Sequence, residues 1–258
     1  MTFELLSHED RGAICVVTLQ RPDKRNAIND ALLHELDEFF SAVPESARVV
    51  VLRGAGEHFC AGLDLAERLA KPKRSAFDGV RHSRLWHRVF EKIQFGERPV
   101  ISALQGGVIG GGLELAASTH VRVADETAFF QLPEGQRGIF VGGGGSVRVP
   151  RIIGVGRMVE MMLTGRRYGA AEGLQLGLAH YVTAPGDALE KAMALAEQVA
   201  SNAFLSNYAV VNAIARINDM SIGDGLFTEA MVNSLTRSST EADERIQSFF
   251  EGRKAERS

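Results

Sequence analysis

Apolar positions in the first half of the chain alternate between short continuous runs and helical stripes. Residues 13–19, Ala-Ile-Cys-Val-Val-Thr-Leu, form one such run, with others at 48–52 and 100–104. Runs of this length, rich in β-branched side chains, predict buried strands. Between them Leu32, Leu33, Leu36, Phe39 and Phe40 recur at helical spacing behind Asn29 or Asp30, either of which can cap a helix. A second stripe of Val80, Leu85, Trp86, Val89, Phe90 and Ile93 predicts a helix over 76–93. Residues 120–124 and 128–131 read as further strands. Beyond about Val155 the pattern is helical almost throughout, over 154–163, 170–176, 187–202, 205–218, 223–236 and 239–250. Ser238 and Glu241 have the spacing of a capping box for the last helix, and Gly252 is expected to stop it before a charged tail. Strand-helix alternation followed by helices predicts an α/β core with a C-terminal helical segment, without internal repeat or linker.

Composition narrows the function classes. The 258 residues are 45% hydrophobic and 24% charged, as in an ordinary globular chain with one sizeable core. A net charge of −3 gives no electrostatic reason to bind nucleic acid or an anionic membrane, and no apolar run has bilayer-spanning length. Met1-Thr2-Phe3-Glu4-Leu5 lacks the basic and apolar regions of a secretory signal. Cys15 and Cys60 are too few for a disulfide framework, and neither they nor the seven histidines have metal-site spacing. The expectation is a protein of the reducing cytoplasm with no bound metal and no nucleic-acid or membrane partner.

Two carboxyls stand out. Glu114 follows the glycines Gly110-Gly111-Gly112, and Glu134 closes Phe129-Phe130-Gln131-Leu132-Pro133-Glu134, where little would hydrate a charge. A pair of carboxyls in a poorly hydrated pocket can divide the labour, one protonated and one ionised, which equips a site to add or remove water across an activated double bond. Two glycine-containing turns could supply backbone donors. Ala61 and Gly62 allow a tight turn that exposes the Leu63 amide, and the glycine run places Gly111 at a helix start. Two amides meeting at one carbonyl oxygen would stabilise an enolate. Neither the glycine run at 110–112 nor that at 142–145 completes a dinucleotide or phosphate-loop motif; the second is expected to bring backbone close to a ligand or to a helix starting near Ser146.

Taken together, these segments resemble the crotonase, or enoyl-CoA hydratase/isomerase, superfamily over nearly the whole chain. The resemblance rests on Arg21-Pro22-Asp23-Lys24-Arg25-Asn26-Ala27, on Phe59-Cys60-Ala61-Gly62-Leu63-Asp64, and on Gly106-Gly107-Val108-Ile109-Gly110-Gly111-Gly112-Leu113-Glu114. Later landmarks are Leu163-Thr164-Gly165, Ala171-Glu172 and Gly177-Leu178. It implies a spiral of repeated ββα units over 1–200 and a helical trimerisation region over 201–258, assembling as a homotrimer or a dimer of trimers. It also implies an acyl-CoA thioester substrate, with no separate cofactor. Carried onto this sequence, the catalytic set is Glu114, Glu134 and the amides of Leu63 and Gly111. Coenzyme A would be contacted by Lys24, Arg25, Ala61, Asp64 and Leu65, and by Arg253 and Lys254 from a neighbouring subunit. Members that hydrate enoyl-CoA keep both glutamates, so hydration of a trans-2-enoyl-CoA leads. Isomerisation, aryl-propenoyl-CoA hydration with cleavage, and a non-catalytic CoA-binding role are the alternatives. The chain departs from the pattern at Val141, where many hydratases have proline, and Phe140 and Val141 are expected to reshape the acyl pocket. Trp86 and Phe90 read as packing residues, and His82 and His87 as surface or packing residues without a catalytic role.

Overall fold

The computed structural model describes residues 3–72 and 75–255, with the side chains of residues 249 and 251–255 outside the described set. The chain winds as a spiral in which each turn visits one sheet, then a second layer of strands, then a helix. The first turn holds β1 (Leu6–Arg11), β2 (Ile14–Leu19) and α1 (Asp30–Ser41). The second holds β3 (Val49–Gly54), α2 (Leu65–Ala70) and α3 (Ala76–Gln94). The third is β4 (Val100–Leu104), β5 (Gly107–Ile109) and α4 (Gly111–Ala116), and the fourth β6 (Val121–Asp125), β7 (Phe129–Gln131) and α5 (Gly145–Ile153). Then come α6 (Val155–Thr164), β8 (Tyr168–Gly169), α7 (Ala170–Leu176), β9 (Tyr181–Thr183) and α8 (Ala188–Ala200). Three more helices follow, α9 (Phe204–Ile217), α10 (Ile222–Arg237) and α11 (Thr240–Ala255).

The six-stranded sheet runs β1-β2-β3-β4-β6-β9, antiparallel only at the β1–β2 pair. The second layer joins β5, β7 and β8 and is continued by single parallel bridges, Cys60 to Val108 and Ile28 to Leu63. This is the repeated ββα spiral expected from the motifs. No repeat is visible in the sequence because the second-layer strands of the first two turns shrink to bridges.

The sheet is covered on both faces, which is why its strands read as unbroken apolar runs. Val49, Val51 and Ile101 pack with Ala188, Ala192 and Ala196 of α8 on one side, while Val50 and Leu52 enter the main core on the other. Asn29 caps α1, its side chain accepting from the Leu32 amide at 2.8 Å, and all five predicted apolar positions of that helix are buried. On α3 the stripe holds from Trp86 onward, but Val80 is exposed, because the first turns of this helix border a cavity rather than the core.

The remaining departures have local causes. β1 is an edge strand with only Leu6 buried, so it shows no hydrophobic pattern. α2, β8 and β9 are too short for periodicity to mark. The expected capping box fails: Ser239, not Ser238, accepts from the Ala242 amide, and Glu241 instead accepts from the Phe204 amide and pairs with Arg48. One helical glycine costs only about 1 kcal/mol, so α11 continues through Gly252 to Ala255. No helix among the described residues is long and apolar enough to cross a membrane.

Candidate active site

The spiral brings three strand-to-helix turns together. Between the first and second turns the Ile28 amide donates to Gly62 O at 2.7 Å and the Asp64 amide to Ile28 O at 2.9 Å. A residue between two such bonds directs its own N–H the other way, so the Leu63 amide faces away from Ile28. Gly111 begins α4, where an N–H needs no partner within the helix. The two turns abut: a Cβ on Gly62, whose φ is +84°, would lie 2.6 Å from Ile109 O and 2.8 Å from the Gly111 nitrogen. Only glycine permits both that backbone sign and that approach. Gly110, at φ +54°, is equally constrained, since a Cβ there would come within 2.6 Å of Glu134 Oε1.

Leu63, Gly111, Glu114 and Glu134 line one cavity of about 290 Å³, with Arg68, His82, Trp86 and residues 139–143 completing its walls. A larger cavity of about 860 Å³ lies by Ile14, Leu189 and Met193, but its carboxyls, Glu190 and Glu197, are exposed.

The two glutamates are both buried, 3% and 6% exposed, yet differently served. Glu114 Oε1 accepts from the Gly143 amide at 2.8 Å and the Gly145 amide at 2.7 Å. Burial raises its pKa, while those amides and the nearby Arg148 charge pull the other way. Among the described residues no amide of the loop at 143–145 serves Glu134, and its Oε2 is buried without a hydrogen-bond partner. Burial, joined by the Glu114 charge and opposed by its own backbone amide and Arg137, pushes its carboxyl up to about 7. The ionised form is therefore better supported at Glu114 and the protonated form at Glu134.

The glycine run at 142–145 reads more sharply in three dimensions than in sequence. It wraps Glu114 closely enough that a Cβ on Gly145 would lie 2.9 Å from Glu114 Oε1. Arg148 fixes the loop, donating to Gly143 O at 2.9 Å and to Gln94 Oε1 at 2.6 Å. Nothing in the sequence marks Arg148, which stands on α5 among Ser146, Val147, Val149 and Pro150. Trp86 both packs against Phe90 and walls the cavity at Gly111. His82, left without a role, also lines the cavity and is held by Asp30 at 2.8 Å.

The segment expected to contact CoA lies beside this site. Ala61 donates to Arg25 O at 2.9 Å, joining the Lys24–Arg25 segment, whose side chains are exposed, to the turn that carries Leu63. Asn26 secures the segment from within, donating to Ala55 O and His58 O while accepting from the Arg21 amide. Asp64 faces inward: it caps α2 through the Glu67 amide and pairs with Arg21 at 2.9 Å, so its carboxylate shapes the loop. Leu65 opens α2 half-buried. The side chains of Arg253 and Lys254 lie outside the described residues. His8, Asp10 and Cys15 form a group with metal-ligating atoms within 4.8 Å of one another, but none lines the cavity and burial pushes the Cys15 thiol up to about 12.

Known proteins share this architecture. Residues 9–257 match the enoyl-CoA hydratase/isomerase family profile. A short-chain-enoyl-CoA hydratase of Clostridium acetobutylicum is 32% identical, the alignment covering 96% of this chain and 95% of that protein. A crystal structure of a Rhodopseudomonas palustris protein superposes with a TM-score of 0.94 at 47% identity, covering 99% of each chain. The enoyl-CoA hydratase of Bacillus anthracis gives a TM-score of 0.90 at 33% identity, covering 96% of this chain and 97% of that one.

Proposed function

The chain belongs to the enoyl-CoA hydratase/isomerase family, and we propose that within it the protein is a hydratase converting a trans-2-enoyl-CoA to a 3-hydroxyacyl-CoA. The observation that carries this reading is the unlike pair of buried carboxyls in one cavity, Glu114 with two amide donors and Glu134 with an oxygen unpartnered among the described residues. In the forward direction the thioester oxygen is bound by the Leu63 and Gly111 amides. Glu114, ionised, takes a proton from water as the hydroxyl adds to C3, and the enolate charge rests on that oxygen. Glu134, protonated, gives its proton to C2. One water is consumed and the two carboxyls exchange protonation states, to be reset through solvent. The reaction so drawn asks for no metal or redox group, and CoA enters as part of the substrate.

The CoA nucleotide is assigned to Lys24 and Arg25 of one subunit and to Arg253 and Lys254 of a neighbour in a trimer. Exposed apolar side chains on the C-terminal helices, among them Ile214, Ile222, Leu226, Phe227 and Met231, support an assembly that covers them.

The test is an assay with trans-2-enoyl-CoA and 3-enoyl-CoA, followed by loss of conjugated absorbance and by product mass. A hydratase gives a product heavier by one water from the 2-enoyl substrate. Interconversion of the two enoyl isomers without water uptake would make the protein an isomerase.

A further inference from the structure

We propose that Arg68 recognises a carboxylate at the distal end of the acyl chain, so that the substrate is a short enoyl-CoA with an anionic tail. The proposal deepens the hydratase reading of the same cavity and rests on it for the thioester. Three observations carry it.

The first is the orientation of α2. Leu69 is 85% exposed, whereas its neighbour Arg68 is half-buried and lines the cavity. An amphipathic helix beside an apolar tunnel would present the leucine inward and the arginine to water; here the order is reversed.

The second is that Arg68 has no carboxylate partner among the described residues, while Arg21 and Lys71 do. Arg21 pairs with Asp64 at 2.9 Å, and Lys71 bridges Asp30 and Glu67 at 2.7 Å each. A guanidinium drawn partly out of water without a partner is costly, and a ligand carboxylate is the planar, two-oxygen acceptor that its fork of donors fits.

The third is the rest of the cavity. Its volume, about 290 Å³, falls just below the roughly 300–1,000 Å³ of ligand pockets. It takes an acyl thioester end and has no room for the CoA nucleotide. Ser83 and His82 line it with Arg68, and Ile139 and Val141 line it as well, so its walls offer both polar groups and apolar surface for a short run of methylenes. Ionised Glu114 in the same cavity would repel an anionic acyl group, and Arg68 supplies the opposing charge.

The experiment measures calorimetric binding of three unreactive probes: butanoyl-CoA, the mono-CoA thioester of a five-carbon dicarboxylic acid, and free CoA. Wild type, Arg68→Met and Arg68→Lys are compared, each checked for folding by circular dichroism. Wild type should bind the carboxylated thioester about tenfold or more tightly than butanoyl-CoA. That ratio should fall to near one in Arg68→Met and be partly restored in Arg68→Lys. Equal wild-type affinity for the two thioesters would overturn the proposal. So would a loss for free CoA as large as for the carboxylated probe, since Arg68 would then be a phosphate contact. An Arg68→Met protein that fails to fold leaves the wild-type ratio and Arg68→Lys as the deciding measurements. Because binding is read without turnover, discrimination in a protein that hydrates no enoyl-CoA would sink the hydratase reading and leave the anionic pocket standing.

Discussion

Among the described residues Glu134 has a buried oxygen with no partner, and burial raises its pKa. Its folded pKa of about 7 lies above the ordinary 4.5. Between those values the folded chain holds a proton that the unfolded chain has lost, so stability falls as pH rises through this window. The full loss is on the order of 3 kcal/mol. Urea unfolding of wild type and Glu134→Gln across that range should show a declining stability for wild type and a flatter curve for the variant. Identical pH slopes would mean that Glu134 titrates normally. The turns proposed to bind the thioester oxygen make a second residue-scale prediction. A Cβ on Gly111 meets Trp86 Cζ3 at 2.8 Å, so any substitution there is strained. Gly111→Ala carries that strain but keeps the N–H, whereas Gly111→Pro also removes it. The proline variant should lose about 100-fold more turnover than the alanine variant, the effect of about 3 kcal/mol from one oxyanion donor. Equal turnover in two folded variants would remove Gly111 from the proposed site.

At the scale of elements, Glu114 depends on a loop that is itself held by a helix. Arg148 on α5 donates to Gly143 O, and the Gly143 and Gly145 amides hold Glu114 Oε1. Arg148→Met removes both the restraint and a positive charge that favours ionised Glu114. Turnover should fall about tenfold or more, with the acid limb of the kcat/KM profile moved to higher pH. A drop in stability alone, with the profile unmoved, would make Arg148 only a packing residue. This dependence was hidden in the sequence because twenty-nine residues or more separate Glu114 from the amides that hold it. The strands at 100–104 and the helix at 30–41, by contrast, were legible because burial imposes continuous or periodic apolarity on them. Glu114, Glu134, Leu63 and Gly111 were legible as motif positions, and only the fold shows them in one cavity. Arg68 and Arg148 were not, since a single cation carries no period.

At the scale of the whole molecule, the spiral stacks the turns so that Ile28, the Cys60–Leu63 turn, β5 and β7 lie side by side, and the site forms where their following turns meet. The proposed assembly adds the C-terminal basic residues. Deleting residues 252–258 should raise the KM for acyl-CoA at low ionic strength, with the loss shrinking as salt screens the phosphates, and should spare kcat because these contacts are equal in ground and transition states. Sedimentation checks that the oligomer persists. An unchanged KM in an intact trimer would show that the tail is solvated charge. The central claim, that two carboxyls share one hydration step, is tested most directly by the turnover of Glu114→Gln, Glu134→Gln and the double variant on one enoyl-CoA. Each single variant should lose about two orders of magnitude or more in kcat while retaining acyl-CoA binding, and the double should lose far less than the product of the two. Near-normal hydration by either single variant would contradict it.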